Sequence, residues 1–284
     1  MPGSLETIAY HPLTGGRQIV DGSGWGDSSG LELDRKLLLF TGDNATGYER
    51  YSTKRSQSPA IRRIGSVPTS SGFEITFFDE NGIDVVDEFE LGFPFGDTTD
   101  VDEFGTTTPV IAYDRNVSMR FADFLSTGNR LRIGLKDFTN SKSHPALWGN
   151  APYHIQSMSS LRAISEQTGI ELTELIARYR PNFVVDQPKK KAGSELGWRM
   201  VRIGSTDFVI HKTTVRCEVP DQDPLTGKSD SSVSKVSIVN RNLPRRMSGG
   251  KLKSILGLYA FSLDDSSSYF QVGDSVNVTS RTSI

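Results

Sequence analysis

With 284 residues, 36% of them apolar, the chain suits a folded protein with a sizeable core, and its formal net charge of −2 argues against a global electrostatic affinity for nucleic acid or anionic membrane. No apolar run approaches the roughly 20 residues needed to span a bilayer, and Met1–Val20 lacks the basic-then-apolar order of a secretory signal, so a cytoplasmic location is expected. The single cysteine excludes an intrachain disulfide, a four-cysteine zinc site and a self-contained iron–sulfur cluster; redox chemistry would need a bound cofactor or an outside partner.

In chain order, 20–30 is crowded with Gly, Ser and Asp and reads as a loop, and 31–41 carries enough Leu and Phe for a buried strand. Stretches 73–78 and 83–86 flank Asn81-Gly82, a hairpin signal. No Lys or Arg occurs between Arg63 and Arg115, while Asp and Glu recur through 74–104. That acidic segment reads as a solvated surface or loop, with a docking face for a basic protein as the sharper alternative. Turn-formers at 96–99 and 106–109 suggest a boundary between a β-rich module, 1–108, and a second domain, 109–284.

Ser159 and Ser160 precede a helical run that stops at Thr168-Gly169. Leu172, Leu175, Ile176 and Tyr179 then form one apolar helix face, which Arg180-Pro181 should end. Strands are expected at 183–185, 198–203, 208–219, 255–261 and 275–278, with 204–207 as a hairpin and Lys189–Lys191 in a solvated loop. The fold class is α+β, mainly β.

In the strand expected at 208–219, a period of two puts Val209, His211, Thr213, Val215 and Cys217 on one face, and Pro220 should end the pairing just beyond Cys217. A lone cysteine reads either as a small buried hydrophobe or as a ligand. Arg216 offers a fixed positive charge beside it, and a thiolate suits a soft metal centre whose other ligands arrive with a cofactor. His11, His144, His154 and His211 show no metal spacing and read as structural, and Asp223 and Asp274 read as turn residues.

Five motifs fall in order: RYRPN at 178–182, VRC at 215–217, DPLTG at 223–227, LGLY at 256–259 and VGD at 272–274. Together they resemble the MOSC domain, named for the carboxyl-terminal part of molybdenum cofactor sulfurase. HPLTGG at 11–16, GLELDR at 30–35 and TKRSQSP at 53–59 resemble the β-barrel module that often precedes it. Within that family the chain resembles the mitochondrial amidoxime-reducing component and its bacterial relatives.

The resemblance implies a β-barrel fold, a molybdenum–molybdopterin cofactor with Cys217 as metal ligand, and reduction of N-hydroxylated or N-oxide-type small molecules. Electrons would come from separate haem or iron–sulfur and flavin proteins. It further implies cofactor contacts from Arg35, Ser159, Ser160, Arg180, Asn182, Arg216 and Tyr259. Where the family carries a Lys-Ser pair, this chain has Thr14-Gly15, leaving Arg17 as a nearby candidate for the missing cation. The alternative is a sulfur or cofactor carrier that uses a persulfide or thiolate of Cys217.

Overall fold

The computed structural model describes residues 2–51, 58–103, 105–128, 130–137, 151–229, 233–235, 245–248 and 251–281. The first quarter runs β1 (Gly3–Tyr10), β2 (Ile19–Asp21), β3 (Ser23–Asp27), β4 (Gly30–Leu31), β5 (Leu37–Asp43) and β6 (Gly47–Arg50). A short 3₁₀ turn, Pro59–Arg63, leads into β7 (Ile64–Thr69), β8 (Gly72–Phe78), β9 (Val85–Gly92), β10 (Thr98–Asp102) and β11 (Thr107–Ala112). Helix α1 (Arg115–Leu125) and β12 (Leu131–Lys136) follow. The remainder holds β13 (Tyr153–Ser157), α2 (Met158–Thr168), α3 (Leu172–Tyr179), β14 (Phe183–Asp186), β15 (Trp198–Ile203), β16 (Thr206–Val215), β17 (Arg245–Ser248), β18 (Lys251–Ser262), β19 (Ser268–Gln271) and β20 (Ser275–Arg281).

The strands β13, β14, β1, β20, β15, β16 and β18 pair in that order, and the additional pairing of β18 with β13 closes them into a barrel. An aromatic cluster fills it: Tyr153 stacks on Phe183 at 5.5 Å and meets Phe208 edge-on at 5.0 Å, with Phe270 alongside. Each fully buried ring in this core contributes about 2–3 kcal/mol by transfer alone, and Leu, Ile and Val side chains surround the rings. The β13–β14 pair is parallel, which requires a crossover, and α2 and α3 supply it. Residues 180–182 are thereby delivered to the start of β14.

A smaller closed barrel is formed by β10, β11, β12, β5 and β6, capped by α1 and by the β7–β8–β9 sheet. Phe77 of β8 joins these layers, stacking on Phe124 at 4.3 Å and meeting Phe121 edge-on at 5.1 Å. The fold is thus mainly β with a few helices, as expected.

The expected 108/109 division falls inside β11, and strands on both sides of it share the smaller barrel. Moreover β1 lies between β14 and β20, so the first strand of the chain completes the larger barrel. The expected loop at 20–30 is three short strands instead. Its glycines are what the ladder needs: a Cβ on Gly26 would lie 2.6 Å from the Tyr153 hydroxyl. The buried strand expected at 31–41 starts only at Leu37, because 32–36 is a turn with Arg35 at φ 54°.

In the acidic segment, β8 and β9 form the expected hairpin, in which Gly82 has φ 72°. The segment is built of strands rather than loop, and Glu103 is buried. The residues 53–57 of the TKRSQSP motif lie outside the described residues.

The DPLTG turn forms as read, with Asp223 accepting from the amides of Leu225 (3.0 Å) and Thr226 (2.7 Å). It clamps against the smaller barrel's 3₁₀ turn: Gly227 sits at φ 75°, where an added Cβ would run into the Pro59 carbonyl. Gly227→Ala should therefore cost on the order of 2–4 kcal/mol through strain and displacement, read as a lower urea midpoint at unchanged slope.

Candidate functional site

A cleft of about 260 Å³ is lined by residues of both barrels, most of them near element ends. Thr14 and Gly15 follow β1, Arg35 lies between β4 and β5, and Arg50 ends β6. Arg178, Tyr179 and Arg180 close α3, Arg216 and Cys217 follow β16, and His154 and Tyr259 come from β13 and β18.

Pro181 stops α3, and Arg180 takes the left-handed conformation at its C-cap, φ 56°. Its Nη1 donates to the Gly16 carbonyl at 2.6 Å, while its own carbonyl accepts from His154 Nδ1 at 3.2 Å. With Nδ1 so protonated, Nε2 of His154 is the bare nitrogen that accepts from Arg216 Nη2 at 2.8 Å. Arg216 Nη2 also donates to Gln156 Oε1 at 3.0 Å, and its guanidinium lies 4.9 Å from the centre of the Tyr179 ring. One neutral histidine therefore positions both arginines.

The glycine of the LGLY motif has a reason in this arrangement. Gly257 lies at φ 87°, and a Cβ there would sit 2.5 Å from His154 Nε2 and 2.7 Å from Gln156 Oε1, the two acceptors that hold Arg216.

Arg35 is anchored by an ion pair with its neighbour Asp34 and donates to the Arg180 carbonyl at 3.4 Å. Thr14 is pinned beside it through backbone bonds, Thr14 N to Leu37 O at 2.8 Å and Arg35 N to His11 O at 2.9 Å. Arg17 does not fill the place of a cleft cation: it donates to the Gly82 carbonyl at 2.7 Å and lies 3.4 Å from the centre of the Phe78 ring. Arg50 reaches the cleft instead. Behind it stands Glu103, 3.8 Å away, which also takes Lys136 Nζ at 2.6 Å and the Thr108 hydroxyl at 2.8 Å.

Of the residues expected at the site, Arg35, Arg180, Arg216, Cys217 and Tyr259 come together in this cleft. Asn182, Ser159 and Ser160 do not line it. Buried Asn182 accepts from the His154 amide at 3.0 Å and donates to Asp34 Oδ2 at 3.0 Å and the Ala9 carbonyl at 3.3 Å, so its amide is committed to the scaffold. Ser159 and Ser160 lie inside the first turn of α2 rather than before it. Ser160 donates to Glu195 Oε1 at 2.6 Å, and Ser159 shares a hydrogen bond with Ser157.

Strand β16 ends at Val215, earlier than expected, because its pairing with β18 slips between Ile210 and Lys212 and again between Thr213 and Val215. Cys217 therefore stands free of the ladder, with an exposed side chain. Sequence reasoning missed Arg50 and Gln156, and read His154 as merely structural. The i, i+2 spacing of His154 and Gln156 in YHIQS is a signal for the last two.

The cleft wall is strongly cationic. Burial lowers Arg35 to about 9 and Arg50 to about 10, and it lowers Arg62, which does not line the cleft, to about 10 as well. Arg180 is pushed down by burial and then by the charges of Arg62, Arg35 and Arg50. All of them stay protonated at neutral pH, so the fold stores mutual repulsion that an anion in the cleft would relieve. A Cys217 thiolate acts in that direction on Arg50, Arg62 and Arg216. The buried atoms Thr14 Oγ1, Arg180 Nη2 and Arg216 Nε of lining residues have no hydrogen-bond partner among the described residues.

Burial, reinforced by nearby arginines, holds His154 and His11 well below the ordinary histidine value. The unfolded chain then binds protons that the folded one refuses, so stability falls as pH drops below about 6.5, by up to about 1.4 kcal/mol per unit for each histidine. His154→Gln should flatten this slope between about pH 6.5 and 5 in denaturant titrations. An unchanged slope would mean that His154 already carries its proton in the fold.

Residues 125–277 match the family model described as the MOSC domain, more than half of the chain. No curated protein matches the chain. The matched stretch contains α3, Arg180, Arg216, Cys217 and Tyr259, the core of the cationic cleft, and on this evidence of sequence and fold the chain belongs to the MOSC domain family.

Proposed function

We propose that the cleft holds a molybdopterin-bound molybdenum, with Cys217 Sγ as the protein's ligand to the metal, and that the chain reduces N-hydroxylated or N-oxide-type small molecules. MOSC domains occur in molybdenum-cofactor-binding and sulfurase-related proteins. The observation that carries the reading is the convergence of one exposed thiol with Arg35, Arg50, Arg180 and Arg216 on a single cleft. The unpartnered donors of Arg180 and Arg216 and the repulsion among the arginines fit a phosphate-bearing, anionic group, and a thiolate fits a soft metal.

When bound, the cofactor supplies two-electron oxygen-atom chemistry. The protein's part is to bind and orient it. Arg35, Arg50 and Arg180 would hold the phosphate, and the His154–Gln156 pair would keep Arg216 beside Cys217. Tyr259, whose phenol burial keeps protonated beyond the usual range, lines the cleft and would exclude water from the bound group. Overall, R–NHOH, two electrons and two protons give R–NH₂ and water. No haem, flavin or iron–sulfur motif is legible in the sequence, and the electrons would arrive from separate haem or iron–sulfur and flavin proteins.

Protein purified from a host that makes the cofactor should carry near-stoichiometric molybdenum and pterin. Cys217→Ala should lose most of the metal, and Arg180→Ala should lower pterin content at least about tenfold while melting within a few degrees of wild type. Equally low molybdenum and pterin in wild type and Cys217→Ala would reject the reading.

The exposure of the Cys217 thiol favours one second reading, a sulfur or cofactor carrier. Intact-mass analysis after incubation with a cysteine desulfurase separates the two: a gain of one sulfur atom, lost in Cys217→Ala, supports the carrier, and an unmodified thiol rejects it.

A further inference from the structure

A second concavity, of about 290 Å³, lies at the small sheet formed by β19, β3 and β4. Its composition is unlike that of the cationic cleft. Three aromatic rings, Tyr10, Trp25 and Tyr269, and two carboxylates, Asp21 and Glu32, line it, and no Lys or Arg is among its described lining residues. Trp25 and Tyr269 are directly opposed in the β3–β19 ladder, their ring centres 5.1 Å apart. Yet they are 53% and 50% exposed.

That exposure follows from how the sheet is seated. On β3 the neighbours of Trp25 are glycines, and Gly26 lets the sheet lie against Tyr153, whose hydroxyl donates to the Asp27 carbonyl at 2.7 Å. On β19 the alternate residue, Phe270, is buried in the aromatic core. The pleat therefore turns Trp25 and Tyr269 outward together. Tyr10 is fixed at the same concavity from β1, its hydroxyl 3.4 Å from Asp21 Oδ2.

We propose that this concavity binds an organic cation, an alkylated ammonium or guanidinium group. The negative faces of aromatic rings attract a cation, and carboxylates at the same site add a charge that a neutral apolar ligand could not use. Lys36 feels the charges of Asp27 and Glu32, but it does not line the concavity, and the hydrogen bonds to Asp21 come from neutral groups, the Tyr10 hydroxyl and the Gly22 amide. Glu32 and Leu33 line this site while Arg35 lines the cationic cleft, so one turn contributes to both. The inference stands independently of what the cationic cleft holds.

Isothermal titration of the full chain with choline, and with its neutral isostere 3,3-dimethylbutan-1-ol, tests it. Choline should bind at least about tenfold more tightly than the alcohol. Trp25→Ala should weaken choline about tenfold, while Trp25→Phe, which keeps a ring, stays within a few fold. Asp21→Asn together with Glu32→Gln should bring choline down to the level of the alcohol.

Equal binding of choline and the alcohol, or no saturable binding of choline, would overturn the proposal. So would wild-type affinity in a folded Trp25→Ala. A peptide bearing trimethyllysine distinguishes the source of the cation. Binding as tight as that of choline supports the site with a protein side chain as its ligand, and binding of choline alone supports it with a free small molecule.

Discussion

Asp34 is the charge on which the cleft's geometry depends. One carboxylate, nearly buried, accepts from the backbone of His11, from the Asn182 amide and from Arg35. It thereby ties β1, the turn before β5 and the start of β14 at a single point. A buried carboxylate is tolerable only when each lone pair is used, and removing a partner from such a set typically costs about 3–5 kcal/mol. The two barrels are held in register by polar contacts as well as by packing. Asn182, which the motif reading placed on the cofactor, is spent on this junction.

From that anchor outward the site is built of groups that solve one another's hydrogen bonding but not one another's charge. His154 satisfies the Arg180 carbonyl and Arg216 at once, and Gln156 supports it. Glu103, with Lys136 and Thr108, stands behind Arg50. Arginines whose charges oppose one another remain gathered on a cleft that they share with a single thiol. Such frustration is tolerated where a ligand later resolves it, which is why strained electrostatics so often mark binding sites.

Much of this was legible in the sequence where local rules decide. Pro181 ended α3 as read, Gly169 capped α2, and the apolar face Leu172, Leu175, Ile176 and Tyr179 placed Arg180 at a helix end. The motifs then brought Arg35, Arg180, Arg216 and Cys217 to one place. What stayed hidden depends on long-range pairing. Gly24 and Gly26 look like loop residues until Ile8 is seen beneath the first and Tyr153 beneath the second. The slip in β16 that frees Cys217 arises from its register with β18, which no strand period predicts. Arg50 gave no signal because its partner, Glu103, sits in a segment that otherwise reads as solvent-exposed acid.

The place of β1 in the larger barrel also bears on how the chain is made. Its ladder partners on β14 begin about 180 residues later, and its β20 partners, Ser275 and Val276, close to the end. At ribosomal rates of about 5–20 residues per second, the first strand is synthesised roughly 10–40 seconds before its partner β14 exists. During that interval only β2 can pair with it, at Ile8–Tyr10, so one edge and the first half of the other stay open, a natural target for chaperones, while the smaller barrel between can close first. The order of assembly is then inverted relative to the order of synthesis, and the cationic cleft, which needs both barrels, is among the last features to form.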